Sequence, residues 1–345
     1  MSLSPLESLY AARLEARARR YAAGRSRVHR LSRPVISVGN LTLGGTGKTP
    51  FVELLARRLR FEGWKPAILS RGYGRLSRGV VVVSEGGGAL VGPDEGGDEP
   101  VALARQLPGV AVVVARRRAE AGRAAESLGA DVFLLDDGYQ HLALERDVDL
   151  LLLDARNPFA GGRFPPFGRL REPLSALARA DAFVFTRAEG DFPSPAAIRA
   201  VREHNPGAPI FTARIRPAGL RDESGAPLEE AGLAERRFVA VCGIAEPEGF
   251  EAALAQLGLA AEEILVFRDH HRYRERDRQR IRRTAERTGS SWILTTEKDA
   301  VKLAGQLSLP LVAVRLDVEI LEPTFFPFLA SRLPARSWAG EMLPQ

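Results

Sequence analysis

The feature that most constrains this chain is a glycine-rich turn between a short apolar run and an amphipathic stretch. The turn reads Gly-Gly-Thr-Gly-Lys-Thr at residues 44–49, after the apolar run at 35–38 and before a helix expected to begin at Pro50. Backbone N–H groups of such a turn point into one concavity, and the helix N-terminus adds the positive end of its dipole. The segment therefore predicts a strand, a loop that binds phosphate oxygens, and a helix in direct succession.

The side chains of this loop have distinct expected roles. Lys48 is expected to reach the β- and γ-phosphates of a nucleotide, and the hydroxyl of Thr49 is placed to ligate Mg²⁺. Thr42 stands where the usual motif has a glycine, so Gly44 and Gly45 form the turn of a variant loop. The strand before the loop and the helix after it disfavour the alternative, a chance glycine-rich segment. The predicted nucleotide-binding residues are Thr42, Gly44, Gly45, Thr46, Gly47, Lys48 and Thr49.

Beyond the loop, short apolar runs alternate with helical stretches. A first set of expected strands lies at residues 35–38, 67–69, 80–83, 110–114, 132–135, 150–153, 182–185 and 209–212, and a second set at 238–241, 264–267, 292–295 and 311–314. Strands that are apolar on both faces and separated by helices are typical of a mainly parallel sheet with helices on both sides. The predicted fold class is α/β, with a P-loop NTPase-like, mainly parallel sheet flanked by helices.

The composition excludes several classes of protein. No stretch approaches the ~20 apolar residues of a membrane-spanning helix, and no secretory signal pattern is present, so we expect a cytoplasmic protein. The only cysteine, Cys242, excludes an internal disulfide and a cysteine-based zinc cluster. The formal net charge of +6 favours anionic partners, which include nucleotides, nucleic acid and an acidic membrane surface.

The first 30 residues are expected to form a basic amphipathic helix. Arginines at positions 13, 17, 19 and 20 lie on or beside its apolar face. Such a helix can lie in a membrane interface, with its apolar side chains among acyl chains and its arginines near lipid phosphates. The alternative is a helix packed on the protein with a solvated charged side, since amphipathicity is common among globular helices. The apolar face carries Leu3, Leu6, Tyr10, Leu14 and Tyr21.

A phosphate loop also needs an acidic group to hold the metal, usually at the end of an apolar strand. Asp136 and Asp137 follow such a run and would lie beside the loop at the carboxyl edge of an open sheet. Asp154, which follows the apolar run at 150–153, is the alternative, and for any of these aspartates a helix N-cap is the competing interpretation. The adjacent carboxylates of Asp136 and Asp137 favour the first site.

If the loop serves phosphoryl transfer to a hydroxyl, a base or an orienting acceptor is also needed. A lone aspartate with an ordinary pKa is a weak base, so a neighbouring histidine would help. Asp98 lies in a glycine-rich segment, where a solvated surface position is the alternative. His270 and His271 stand together in a run too polar for a core, and a solvated basic loop is the alternative there.

Several segments together resemble the tetraacyldisaccharide 4′-kinase family. In chain order they lie at residues 38–50, 70–75, 97–100, 136–142, 168–174, 269–270 and 295–302. The phosphate loop alone would not discriminate among nucleotide-binding families. The combined set is specific, above all the run Asp-Asp-Gly-Tyr-Gln-His at 136–141.

The resemblance implies transfer of the γ-phosphate of ATP to the 4′-hydroxyl of a tetraacylated glucosamine disaccharide 1-phosphate, giving lipid IVA in lipid A biosynthesis. ATP and Mg²⁺ are the implied cofactors. Because the acyl chains of the acceptor are buried in a bilayer, the resemblance favours membrane contact through the N-terminal helix. The expected location is therefore peripheral, at the cytoplasmic face of the inner membrane of a Gram-negative bacterium. Neither nucleic acid nor an obligate protein partner is expected.

The resemblance also implies roles by matching position. Asp98 is the catalytic carboxylate and is paired with His270, which raises its basicity, while Lys48 stabilises the transferring group. Asp136 and Asp137 join Thr49 at the Mg²⁺ site. The other residues expected to line the active site are Arg118, His141, Arg171 and Glu172.

Four segments follow from these patterns and the resemblance. They are the N-terminal helix at 1–30, a P-loop kinase domain at 31–216, a linker at 217–237 rich in Gly, Pro and charge, and a smaller C-terminal α/β domain at 238–345. A cleft between the two domains that closes around ATP would exclude water and limit wasteful hydrolysis.

Two other functions stay open at this point. A switch that hydrolyses ATP or GTP is suggested by the run Thr-Glu-Lys-Asp at 296–299, which faintly resembles a guanine-reading Lys-x-x-Asp motif although its lysine and aspartate are adjacent. A nucleic-acid-binding ATPase is suggested by the basic charge, but the sequence has no clustered basic and aromatic platform. A switch would release ADP without a lipid acceptor, which distinguishes it from a lipid kinase.

Overall fold

The computed structural model describes residues 4–228 and 236–334 of the chain. The strands are β1 (Val35–Asn40), β2 (Pro66–Ser70), β3 (Val81–Glu85), β4 (Ala111–Val114), β5 (Val132–Asp136), β6 (Val148–Asp154), β7 (Ala182–Thr186), β8 (Ile210–Arg221), β9 (Pro227–Leu228), β10 (Phe238–Cys242), β11 (Glu263–Val266), β12 (Trp292–Thr296) and β13 (Leu311–Ile320). The helices are α1 (Pro5–Ala22), α2 (Lys48–Phe61), α3 (Pro93–Gly96), α4 (Asp98–Gln106), α5 (Arg118–Ser127), α6 (Pro195–His204), α7 (Pro247–Gln256), α8 (Glu275–Thr288), α9 (Glu297–Leu303) and α10 (Phe325–Ser331), with 3₁₀ turns at Ala160–Gly162 and Leu174–Arg179.

The strands form one 13-stranded sheet in the order β11-β10-β12-β13-β8-β7-β6-β1-β5-β2-β4-β3, and β9 pairs with β8. The pairs β3–β4, β8–β13 and β8–β9 are antiparallel, and the others in this order are parallel. Each strand expected from the sequence is present, and the mainly parallel α/β fold flanked by helices is confirmed. Strand β1 lies between β5 and β6, so the loop that follows it emerges at the carboxyl edge of the central strands.

Strands β8 and β13 are much longer than the apolar pattern predicted. The pattern marks only residues 209–212 and 311–314, because Pro217 and Gly219 interrupt the first strand and alternating charges follow in the second. The outer parts of the two strands pair antiparallel, from Ala313 opposite Arg221 to Ile320 opposite Ala213. This pairing joins the two sets of parallel strands into one sheet. The connection expected at 217–237 therefore begins inside a strand, and its residues 229–235 lie outside the described residues.

The central strands are buried on both faces, which makes them a rigid platform for the loops at their ends. Every residue of β1 is buried. Ile36 and Val38 belong to a core with Phe51 and Leu55 of α2, whereas Val35 belongs to a separate core that includes residues of α5. Burial of each such side chain contributes about 1.5–3 kcal/mol to folding. The helices α2, α4, α9 and α10 contribute to the first of these cores.

The N-terminal helix α1 is attached through a buried carboxylate. Glu7 accepts hydrogen bonds from the Arg163 guanidinium at 2.7 Å and from the Phe164 backbone N–H at 3.1 Å. Burial would raise the pKa of Glu7, but the Arg163 guanidinium outweighs it and lowers that pKa to about 2. The Ser4 side chain caps the helix by accepting from the Glu7 backbone N–H. The start of the helix is therefore fixed to the segment that follows β6.

Several apolar side chains of α1 are open to solvent. Leu6 is 58% exposed, Leu9 70% and Tyr10 42%, although Tyr10 also contacts the ring of Phe164. The helix ends at Ala22 rather than at residue 30, and Leu3 lies outside the described residues. Within the described part of the chain, no helix is long and apolar enough to cross a membrane.

Candidate active site

The glycine loop, residues 41–47, joins β1 to α2. Gly44 and Gly47 have φ values of +116° and +75°, which residues with a side chain rarely adopt. The hydroxyl of Thr46 is buried and has no hydrogen-bond partner within residues 4–228 and 236–334. The loop thus leads directly into the N-terminus of α2, where Lys48 and Thr49 begin the helix and where an anion is stabilised by backbone N–H groups.

Neighbouring strands hold this loop in place. The Asn40 side-chain amide donates to the carbonyl of Thr42 at 2.8 Å, and Thr42 forms an antiparallel bridge with Leu170. The hydroxyl of Thr186, at the end of β7, donates to the carbonyl of Thr46 at 2.9 Å. Thr42, the departure from the usual motif, therefore lies in the buried flank of the loop.

Lys48 and Asp137 face each other beside the glycine loop, with 3.5 Å between Nζ and Oδ1. The guanidinium of Arg171 donates to both oxygens of Asp137, at 2.7 and 2.8 Å. Burial would raise the pKa of Asp137, but Lys48 and Arg171 lower it to about 2. Asp137 also has a φ of +50°, a strained conformation of a kind that clusters at functional sites.

Asp136, the last residue of β5, is in the opposite electrostatic situation. It is 3% exposed and accepts a hydrogen bond from the Ser70 hydroxyl at 3.0 Å. Burial and the charges of Glu99 and Asp137 raise the pKa of Asp136 to about 7, although Lys48 lowers it. This carboxylate lacks enough positive charge around it, and a divalent cation would supply that charge.

The residues at this position fit Mg²⁺. The hydroxyl of Thr49 and the carboxylates of Asp136 and Asp137 are oxygen donors, which Mg²⁺ prefers, and the ion is usually held by one or two carboxylates together with substrate phosphates. In the described ranges, no group of three or more His, Cys, Asp or Glu residues could hold a metal ion without such help. The donor set is therefore that of an ion shared with a nucleotide.

Asp154, the alternative acidic residue, already has cationic partners. Its carboxylate accepts from the guanidinium groups of Arg156 and Arg187. Burial would raise the pKa of Asp154, but these two arginines lower it. Because its charge is already neutralised, Asp154 is a weaker candidate for the metal than Asp136 and Asp137.

Asp98 and His270 are 172 residues apart in the sequence and lie in contact. The Nδ1 atom of His270 is 3.0 Å from Oδ2 of Asp98, which begins α4 and is 7% exposed. Burial would raise the pKa of Asp98, but the hydrogen bond to His270 and the charges of Lys298 and Lys302 lower it to about 2. The expectation that His270 makes Asp98 more basic is therefore wrong for the protein without substrate. The surrounding cations instead hold Asp98 ionised, as a hydrogen-bond acceptor.

Arg118, at the start of α5, is a nearly buried cation beside the acidic pair. Burial lowers its pKa to about 10, while Asp136 and Asp137 raise it. Its Nε atom and that of Arg171 are buried and have no hydrogen-bond partner among the residues described. The two guanidinium groups therefore act mainly through their charge, which lowers the pKa of Asp137.

His141 follows the acidic pair in a tight turn, with its backbone N–H donating to the carbonyl of Gly138 at 2.8 Å. Burial and the positive charges of Arg118 and Arg146 lower the pKa of His141 to about 4. The imidazole is therefore neutral at physiological pH, when one ring nitrogen donates a hydrogen bond and the other accepts one.

Glu172 has a supporting position. Its buried carboxylate pairs with the guanidinium of Arg179 at 2.9 Å, and that guanidinium lies 4.6 Å over the ring of Tyr139. Because Glu172 directly follows Arg171, this pair holds the segment from which Arg171 contacts Asp137.

Three residues near Asp98 and His270 received no role from the sequence. The Nζ atom of Lys298 is 3.1 Å from Nε2 of His270, and that of Lys302 is 3.4 Å from Oδ2 of Asp98. The ring of Tyr73 lies 4.7 Å from that of His270. All three belong to segments that carried the resemblance, at 70–75 and 295–302, and the rarity of lysine in this chain was a further signal.

A glycine loop at the carboxyl edge of parallel strands, followed by a helix and flanked by an acidic pair, defines this chain as a protein with a P-loop kinase fold. The profile of one family, described as LpxK, tetraacyldisaccharide-1-P 4′-kinase, matches residues 1–334. The chain belongs to this family.

Individual relatives agree with that assignment. A tetraacyldisaccharide 4′-kinase of Geobacter sulfurreducens is 45% identical over 320 residues, which cover 92% of this chain and 88% of the relative. Another, from an Anaeromyxobacter species, is 41% identical over 349 residues, covering 99% of this chain and 93% of the relative. A crystal structure of LpxK from Aquifex aeolicus in complex with ATP matches with a TM-score of 0.78 and 34% identity, covering 96% of this chain and 98% of that one.

Proposed function

We propose that this chain transfers the γ-phosphate of ATP to the 4′-hydroxyl of tetraacyldisaccharide 1-phosphate, giving lipid IVA in lipid A biosynthesis. The observation that carries the proposal is the contact between Asp98 and His270 beside the acidic pair, where Glu99, the residue after Asp98, is near enough to Asp136 to raise its pKa. A carboxylate held ionised by a histidine and two lysines is suited to accept a hydrogen bond from a hydroxyl and so to orient it. Membership of a kinase family whose relatives are named for this reaction supports the acceptor's identity.

The nucleotide would be held by the glycine loop and Lys48. Backbone N–H groups of Gly44–Gly47 and the N-terminus of α2 contact phosphate oxygens, and Lys48 stabilises negative charge on the transferring group. When ATP binds, the 3.5 Å contact between Lys48 and Asp137 is exchanged in part for contacts with phosphate. The charges of Arg118 and Arg171 would offset the negative charge that the acidic pair and the phosphates bring together.

Thr49, Asp136 and Asp137 would hold Mg²⁺ at this site. Bound there, the ion would neutralise charge on the β- and γ-phosphates. Support comes from the pKa of about 7 that burial and neighbouring carboxylates give Asp136, since this carboxyl needs a further cation to ionise fully.

Asp98 would orient the 4′-hydroxyl for in-line attack. Its carboxylate accepts the hydrogen bond of the hydroxyl and takes the proton as the new O–P bond forms and the bond to the ADP oxygen breaks. Because the pKa of Asp98 is only about 2, proton transfer is unfavourable early in the reaction. Orientation therefore precedes deprotonation, which suits a loose transition state in which the nucleophile gains charge late.

The acceptor requires contact with a bilayer, and α1 is suited to provide it. Leu6 and Leu9 are mostly exposed, whereas Glu7 and Ala11 of the same helix are buried, and several arginines follow along the helix. We therefore place the protein peripherally at the cytoplasmic face of the inner membrane. We also propose that residues 31–216 and 238–345 form two domains, and that the cleft between them closes around ATP.

The test of the proposed function is ADP release by the purified full chain with Mg²⁺ and ATP, with and without the acylated disaccharide 1-phosphate in mixed micelles. We expect release to depend on the lipid. The same micelles with a non-phosphorylated glycolipid are the control for detergent effects. Equal ADP release without acceptor would instead identify a nucleotide-hydrolysing switch.

A further inference from the structure

Lysine is rare in this chain, and three of its four lysines lie at the proposed active site. Only four of the 49 basic residues are lysines, namely Lys48, Lys65, Lys298 and Lys302. Lys48 begins α2 at the glycine loop, while Lys298 and Lys302 of α9 contact His270 and Asp98. A lysine offers a compact charge with three rotatable donors, whereas arginine offers a planar fork. The use of lysine at these positions in an arginine-rich chain points to a need for that geometry.

Lys298 completes a chain of three groups. Its Nζ atom is 3.1 Å from Nε2 of His270, whose other ring nitrogen, Nδ1, is 3.0 Å from Oδ2 of Asp98. The Lys298 side chain is 16% exposed and is held by two further carboxylates, Oδ1 of Asp269 at 2.8 Å and Oε1 of Glu99 at 3.4 Å. Its ammonium group is therefore fixed in position against the imidazole edge.

The donor and acceptor inventory of these groups allows one arrangement. An ammonium group has donors and no acceptor, so the 3.1 Å contact is a hydrogen bond only when Nε2 of His270 carries no proton and accepts. The neutral imidazole then has its proton on Nδ1, where the acceptor is the carboxylate of Asp98. A doubly protonated His270 would direct a second N–H at the Lys298 cation.

We propose that Lys298 is a positioning residue that disfavours a proton on Nε2 of His270, so that the neutral imidazole carries its single proton on Nδ1 and donates it to Asp98. The inference rests on the proposed function only in taking Asp98 as the group that accepts the sugar hydroxyl. With the imidazole fixed in this way, Asp98 keeps a constant orientation and its remaining lone pairs are available to the hydroxyl.

The groups around His270 act on its charge in opposite directions. Burial and Lys298 lower the pKa of His270, whereas the hydrogen bond to Asp98 and the charge of Glu99 raise it, and the result is a raised pKa. Two other groups face His270: the carboxylate of Asp269, which also contacts Lys298, and the ring of Tyr73. Lys302 faces Asp98. Removing the Lys298 cation should therefore raise the pKa of His270 further, so that more of the protein holds the doubly protonated imidazole at a given pH.

The first experiment needs no variant at the lysine and no lipid. The full chain labelled with ¹⁵N-histidine would be examined by long-range ¹H–¹⁵N NMR across the titration of His270, with His270→Gln to identify its signals. We expect the neutral form of His270 to carry its proton on Nδ1. A proton on Nε2 in the neutral form would overturn the proposal, whether or not the protein phosphorylates the glycolipid.

The second experiment compares a positively charged and a neutral side chain at position 298, both made from one preparation of the same variant. Lys298→Cys is treated with 2-bromoethylamine, which rebuilds a lysine-like ammonium group, or with iodoacetamide, which leaves a neutral group of similar size. Cys242 should not react, because it is fully buried and burial raises the pKa of its thiol to about 12. The control is Lys65→Cys, treated in the same two ways. Lys65 is exposed and is far from residue 298 in the sequence.

We expect the neutral adduct at position 298 to lower kcat at least about tenfold, as part of the 10²–10⁴-fold effect typical of a proton acceptor, with little change in the KM for ATP. The acid limb of its pH–kcat profile and the NMR titration of His270 should both move to higher pH. The ammonium adduct should reverse all three changes. If the two adducts have the same kcat and the same His270 titration, Lys298 only joins α4 to α9 and the proposal is wrong.

Discussion

At the scale of single residues, the carboxylate of Asp98 is defined by its hydrogen bond with His270 and by two neighbouring lysines. His270, Lys298 and Lys302 outweigh its burial and hold its pKa at about 2. Such a group is a strong hydrogen-bond acceptor for a hydroxyl and a poor proton acceptor until the hydroxyl oxygen has begun to lose electron density. The charge of Asp98 therefore matters more than its basicity in the resting protein.

Replacing that charge with a neutral group of the same shape tests this role. For Asp98→Asn we expect kcat to fall by about 10²–10⁴-fold, because the amide can neither accept the hydroxyl proton nor attract the neighbouring cations. The KM for ATP should change little. Steady-state kinetics with saturating lipid measures both, and Asp94→Asn, an exposed carboxylate four residues earlier, is the matched control. Near-normal turnover of Asp98→Asn would remove this residue from the mechanism.

The residue types at the site could be named from the sequence, but their conformations could not. Asp136, Asp137, Lys48 and Thr49 follow from a motif and the ends of apolar strands. The pairing of Asp98 with His270 came from the resemblance, since no local pattern joins residues 172 positions apart. The positive φ values of Asp137 and His270 are set by tertiary contacts.

At the scale of elements, the site depends on a close approach between β1 and the turn after β5. Gly39 of β1 lies so near this turn that a Cβ atom there would be 2.5 Å from Cβ and 2.7 Å from the backbone nitrogen of Tyr139. Tyr139 is fully buried and donates to the carbonyl of Ala176, so it has little room to move. The distance between the glycine loop and the acidic pair is therefore set by a glycine.

We expect Gly39→Ala to displace the turn that carries Asp136 and Asp137. Overpacking of this kind costs about 1–3 kcal/mol of stability, and the activity at saturating ATP should fall by more than the folded fraction accounts for. Thermal unfolding and kinetics on the same sample measure both effects. Gly207→Ala is the control, because an added methyl group there meets no described atom within 4 Å. Full activity of Gly39→Ala would show that the site tolerates this displacement.

Strand positions were predictable because the central strands are apolar on both faces, and apolar runs are what the pattern detects. The lengths of β8 and β13 were not predictable, because their outer halves are half-exposed and alternate with charge. The early end of α1 at Ala22 follows from Gly24, whose φ of +66° ends the helix.

At the scale of the whole molecule, the proposed active site combines residues from both sets of strands in one sheet. The glycine loop and acidic pair come from the first set, and His270, Lys298 and Lys302 come from the second, beyond the β8–β13 pair. The net charge of +6 and the exposed leucines of α1 are expected to direct this site toward an anionic lipid surface.

The exposed side of α1 gives a test of membrane contact. In the double variant Leu6→Gln and Leu9→Gln, we expect weaker sedimentation with vesicles that contain anionic lipid. The reason is that these two leucine side chains no longer enter the acyl boundary. Leu90→Gln combined with Leu128→Gln is the control, since both are exposed leucines away from α1, one between β3 and α3 and the other directly after α5. Equal sedimentation of the double variant and the wild-type protein would assign membrane contact to another surface.

The most direct measurement of the central claim follows the phosphate itself. The purified full chain is incubated with Mg²⁺, ATP labelled at the γ-phosphate and the acylated disaccharide 1-phosphate in mixed micelles, with Lys48→Met as the inactive reference. We expect the label to be transferred to the glycolipid at its 4′-oxygen and to be absent with Lys48→Met. Consumption of ATP with no label in the glycolipid would contradict the account.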